Sequence, residues 1–156
     1  MKKSLLKKIF VFLSILFIAL NIESSSYAVI FKYSNLEKAR KLYPTNPNKA
    51  HKLIDETILH YEKKPNKASP WLGWAYSDKA EFLKKEGKLD LALSFQEKAC
   101  LTHDKKYKKQ KKEQRSTNLI QCYYSLAILY QDLKQPDKAV AVLSKSISIF
   151  DKFDKN

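Results

Sequence analysis

Along the chain, small and apolar side chains return every three or four positions in three separate stretches. Ala139, Val140, Leu143 and Ile147 follow Pro136-Asp137-Lys138, and Ala50, Ile54 and Ile58 follow Pro47-Asn48-Lys49. Ala92, Leu93, Gln96, Ala99 and Cys100 follow Gly87-Lys88-Leu89-Asp90-Leu91. This spacing gathers each set on one side of a helix. Proline at the start of two of them suits a first helical turn, where its missing N–H leaves no bond unmade. Each stretch has an upstream partner. Trp71, Leu72, Trp74, Ala75, Tyr76, Ala80, Phe82 and Leu83 predict a helix entering after Pro70. Leu119, Ile120, Tyr123, Leu126, Ala127 and Tyr130 predict another, and a short one from Leu36 to Tyr43 stops at Pro44. The connections Glu86-Gly87-Lys88 and Leu133-Lys134-Gln135-Pro136 are tight enough to make antiparallel hairpins. The expectation is an all-α fold of six helices in three hairpins, at about 34–63, 70–103 and 116–153.

The hairpins share more than a period. Ala80 and Ala92 are 12 residues apart, and so are Ala127 and Ala139. The second hairpin sets Tyr76, Ala80, Leu83, the Gly87 turn, Ala92, Ala99 and Cys100 in order. The third sets Tyr123, Ala127, Tyr130, the Gln135-Pro136 turn, Ala139, Leu143 and Ile147 in the same order. These residues resemble the signature of tetratricopeptide (TPR) repeats, helix–turn–helix units of about 34 residues. The likeness covers residues 73–153 and, in its second helix only, 36–61. Alanine replaces the usual glycine of the first helix. Gln96 stands where an aromatic is usual, with Phe95 one position off, and Asp104 and Asp151 replace the closing proline. The copies are offset by 47 residues, leaving an insertion of about 13 over the usual repeat.

The resemblance implies stacked hairpins with an extended concave face that takes a peptide or a partner protein. It carries no catalytic residue. Trp71, Trp74, Tyr76, Tyr123 and Tyr130 are the aromatics available to line such a groove or to pack beneath it. Trp71 and Trp74 are expected between the first and second hairpins, the alternative being that one of them lines the groove.

Residues 1–28 have a separate character. Lys2, Lys3, Lys7 and Lys8 precede the apolar run 9–22, whose polar members are Ser14 and Asn21, and Ser26-Tyr27-Ala28 follows. This is the layout of a secretory signal peptide cleaved after Ala28, leaving an exported domain, periplasmic or secreted, of residues 29–156. The alternative is an uncleaved membrane anchor, although the run is shorter than the roughly 20 residues that cross a bilayer.

Composition narrows the chemistry. Two glycines in 156 residues argue against Gly-rich phosphate loops and for a helical chain. The formal charge is +14, and +11 of it lies outside residues 1–28. Residues 104–115 concentrate it, with Lys105, Lys106, Lys108, Lys109, Lys111, Lys112 and Arg115 against two acidic groups. The segment holds no proline, glycine or β-branched residue, so it is able to extend the neighbouring helices. The alternative is a solvated connector. An anionic membrane or envelope polymer, or an acidic protein, would relieve the repulsion between these lysines. Nucleic acid is disfavoured as a partner, because export separates the protein from it and the chain has only two arginines for bidentate contacts.

Cys100 and Cys122 fall on predicted apolar faces of consecutive helices, where they would pack as thiols or join in a disulfide. His51, His60 and His103 are too widely spaced for a metal site, and Glu56 beside His60 reads as a surface contact. No serine sits in a nucleophile elbow. The sequence therefore points to a non-enzymatic interaction module without cofactor, metal or catalytic residues.

Overall fold

A computed structural model describes residues 35–63, 69–110 and 113–154. Residues 1–34, which include the expected signal segment, lie outside the described residues. Among the described residues there are six helices and no strand. They are α1 (35–42), α2 (Pro47–Glu62), α3 (Pro70–Lys85), α4 (Leu89–Gln110), α5 (Glu113–Asp132) and α6 (Pro136–Asp154). None is long and apolar enough to cross a membrane. Helix α3 packs on α4 and α5 on α6 within hairpins, while α2 packs on α3 and α4 on α5 between them. Neighbours in sequence are thus neighbours in space, the arrangement of a TPR-like solenoid.

Local chemistry sets the ends. Asn46 caps α2, its side chain accepting from the Lys49 N–H at 3.0 Å, and Pro47 fills the first turn. Helix α3 ends in a Schellman turn: Lys88 N–H donates to Leu83 O at 2.9 Å and Gly87 N–H to Lys84 O at 2.9 Å. Gly87 supplies the positive φ this requires, 74°. Helix α5 closes in the same way, with Gln135 N–H on Tyr130 O at 2.8 Å and Lys134 N–H on Gln131 O at 2.9 Å. Here the left-handed residue is Lys134, at φ 56°.

Ala80, Ala92, Ala99, Ala127 and Ala139 are buried, as are Leu83, Ala39 and Ala50. A larger side chain at these alanines would push paired helices apart. The first two hairpins are also keyed together by a ring cluster. Tyr43 stacks on Phe82 with centroids 4.0 Å apart and donates its hydroxyl to Phe82 O at 2.9 Å. Beside it His51 Nε2 meets Glu86 Oε1 at 2.6 Å. Glu56 and His60, by contrast, are both exposed.

The packed face of α6 differs from the one the sequence suggests. In α6 the buried side chains are Ala139, Val142 and Ser146, with Leu143 half-buried. Val140 and Ile147, expected on the packed face, are exposed together with Phe150. The apolar period was right, but the packed face is turned toward 142 and 146. The basic stretch 104–115 is shared between two helices. Residues 104–110 continue α4, which reaches 22 residues, and α5 already begins at Glu113. Residues 104–110 are therefore helical, with Lys105 and Lys108 exposed on α4.

Candidate functional site

The first helices of the three hairpins, α1, α3 and α5, line a groove of about 470 Å³. Helix α1 contributes Arg40; α3 contributes Trp74, Ser77, Asp78, Glu81 and Lys84. Helix α5 contributes Asn118, Gln121, Ser125 and Ile128, a row at helical spacing. The floor includes Gln96 and His103 of α4, and Cys122 and Leu129 of α5.

Asp78 is the most constrained charge there. Its carboxylate is buried and receives Arg40 Nε at 2.9 and 3.0 Å on its two oxygens. Burial nevertheless outweighs the guanidinium and raises its pKa to about 6. Lys84 meets Asp132 at 2.8 Å, joining α3 to α5, and Glu81 is held by Lys85 at 2.6 Å.

The floor is buried polar chemistry on an apolar period. Gln96 is buried and donates from Nε2 to Cys122 O at 3.1 Å, tying α4 to α5. Cys100 and Cys122 are joined in a disulfide across the same junction, with Cα atoms 5.4 Å apart. His103 is buried edge-on to Trp74, ring centroids 5.8 Å apart. Burial lowers its pKa to about 4, so the ring is neutral at physiological pH.

Of the aromatics read from the sequence, Trp74 lines the groove and Trp71 is half-buried against the core. Tyr76 is buried with its hydroxyl on Glu62, and Tyr130 is buried with its hydroxyl donating to Glu97 at 2.9 Å. Tyr123 is half-buried against the core. These tyrosines do not line the groove. Of the basic cluster, Lys105 is exposed, and Lys108 is exposed while bonded to Asp104 at 2.8 Å. Lys111 and Lys112 lie outside the described residues, as do the side chains of Lys106, Lys109 and Arg115. The sequence reading missed Arg40, Asp78 and His103 as groove residues. Gln96 carried a usable signal, being polar at an apolar position.

Residues 120–153, covering most of α5 and nearly all of α6, match the tetratricopeptide repeat family. The match is one repeat long and falls on the third hairpin. The crystal structure of BtubC (BKLC) from P. vanneervenii has a similar fold, with a TM-score of 0.54 at 16% identity. The likeness covers 81% of this chain and 57% of that one, so this chain spans little more than half the length of that relative. No curated protein matches the chain in sequence. Tetratricopeptide repeats are typically interaction modules.

Proposed function

We propose that this protein is an exported, non-enzymatic adaptor that binds a segment of a partner protein in the groove of α1, α3 and α5. One observation carries the reading: the first helices of all three hairpins converge on one open groove that presents an indole, amides and hydroxyls. Side chains of that kind hold a polypeptide by its backbone and one or two anchors. Export is proposed on the strength of residues 1–28 alone.

A peptide library displayed on phage and selected on the full chain tests the reading. Peptides should be enriched, and their binding should fail in Trp74→Ala and Gln121→Lys while surviving Lys105→Gln with Lys108→Gln. Binding indifferent to Trp74 and Gln121 would refute it. A second reading, docking on anionic lipid or polymer, has one observation in its favour. Helix α4 runs to Gln110, past its last described buried side chain, His103, and carries Lys105 and Lys108 there. That reading requires sedimentation with anionic vesicles that is lost in the two lysine variants and falls steeply with salt.

A further inference from the structure

The four charged side chains that line the groove each have a partner within the protein. Arg40 and Asp78 face each other at 2.9 Å, Lys84 is on Asp132 at 2.8 Å, and Glu81 is on Lys85 at 2.6 Å. Arg40 spends its Nε on Asp78, whose side chain is 7% exposed, so pulling the guanidinium away toward an anionic group would leave a buried carboxylate uncompensated. A cationic group would meet an Asp78 already engaged by Arg40 on both oxygens. Lys84 and Glu81 present the same difficulty in weaker, more exposed form. The protein as a whole is strongly basic, but its groove is internally neutralised.

Beyond these pairs, what the groove offers a ligand is uncharged. Ser77 of α3 and Gln121 and Ser125 of α5 offer hydroxyl and amide groups, and Trp74 and Ile128 offer apolar surface. From Asn118 to Ser125 the α5 row rises about 10 Å, the length of about three residues of extended chain. An extended backbone laid along it would meet a polar side chain at roughly each residue, with an apolar side chain turned onto Trp74.

We propose that the groove selects an uncharged stretch of polypeptide anchored by one apolar side chain against Trp74. This rests on the reading that the groove takes polypeptide at all. It gives the protein two separable electrostatic regimes. A basic exterior attracts acidic material weakly and in a salt-dependent way, whereas the groove binds by shape and backbone hydrogen bonds.

The test is selection of a random displayed peptide library on the full chain at low and high salt, followed by titration of individual peptides. Peptides whose binding is lost in Trp74→Ala should be depleted in Asp, Glu, Lys and Arg. Their Kd should change by less than about threefold between roughly 50 and 500 mM salt. Gln121→Lys, at an exposed position, should abolish the same peptides without touching the core, which covers the case in which Trp74→Ala fails to fold. Trp74-dependent peptides that share a charge at a fixed position, with about tenfold loss on neutralising it, would overturn the proposal and leave the polypeptide reading intact. Trp74-dependent binding of neutral oligosaccharides in place of peptides, or no groove-dependent ligand, would overturn both.

Discussion

Gly73 of α3 lies against the ring of His103 of α4. A Cβ at position 73 would stand 2.6 Å from both His103 Cε1 and Nε2. Glycine inside a helix ordinarily costs about 1 kcal/mol relative to alanine. At this position the contact opposes that gain, because the buried imidazole, edge-on to Trp74, must give up its packing and turn toward the groove to admit a Cβ. Gly73→Ala should therefore destabilise the fold, by about 1–3 kcal/mol. His103→Ala should lose stability on its own through the cavity it leaves. The double variant should be more stable than the sum of the two losses predicts. Urea denaturation of the four proteins measures the coupling, and simple additivity would show that the contact is not the cause.

Gly87 and Lys134 occupy equivalent positions 47 residues apart, each the left-handed residue of a Schellman turn. An L side chain pays about 1–2 kcal/mol to enter that region, and glycine pays none. Gly87 has nothing within 4 Å of a built Cβ, so Gly87→Ala tests backbone conformation alone and should cost about 1 kcal/mol. Lys134→Gly should do the opposite and stabilise by about 0.5–1 kcal/mol. Thermal unfolding reads both, as a fall and a rise in Tm of a few degrees. Equal shifts of one sign would remove the conformational explanation.

These turns were readable in the sequence because glycine, proline and the alanines 12 residues apart are local signals. So was the six-helix order, since each helix carries its own period. The face of α6 was not: Val140 and Ile147 satisfy a helical repeat as well as Val142 and Ser146 do, and only the neighbouring helix decides which set is covered. The groove was harder still. Arg40 and Asp78 are 38 residues apart, and neither stands out from its surroundings. Gln96 and His103 sit at spacings that suit apolar residues, and their partners on α5 and α3 are set by how hairpins stack.

Two buried groups in the groove give opposite pH dependence. Asp78 has its pKa raised from 3.8 to about 6, so the folded state binds its proton more tightly than the unfolded chain. Its contribution is greatest below about pH 3.8 and is lost as pH rises through 6. His103 has its pKa lowered from 6.5 to about 4, so the unfolded chain takes the proton first. Its contribution is present above pH 6.5 and is lost as pH falls toward 4. Each amounts to a few kcal/mol at most, at about 1.4 kcal/mol per pKa unit, and the two slopes largely cancel between pH 6 and 4. Asp78→Asn should therefore expose a steep loss of stability on acidification, and His103→Gln should expose a gain. Denaturation midpoints at pH 7.5, 5.5 and 4.5 distinguish them. Parallel pH profiles for the two variants would refute the assignment.

Cys100 and Cys122 connect α4 to α5, and hence the second hairpin to the third, behind the groove wall that carries Cys122. A crosslink over 22 residues restricts the unfolded chain by an amount worth about 3 kcal/mol in the loop-entropy picture. Both cysteines are buried, so a reductant reaches them through opening of the α4–α5 junction. Reduction of the native protein should accordingly be slow and should speed up at denaturant levels that loosen this junction. Once reduced, the protein should unfold at lower urea, and Cys100→Ser with Cys122→Ser should match it to within the cost of two buried hydroxyls. The junction also holds Gln96 on Cys122 O, a contact that survives reduction. Gln96→Leu should therefore cost more in the reduced protein than in the oxidised one, because the hydrogen bond then ties α4 to α5 without the covalent link. Equal costs in both states would mean that the disulfide and the glutamine do not share the task of fixing that junction.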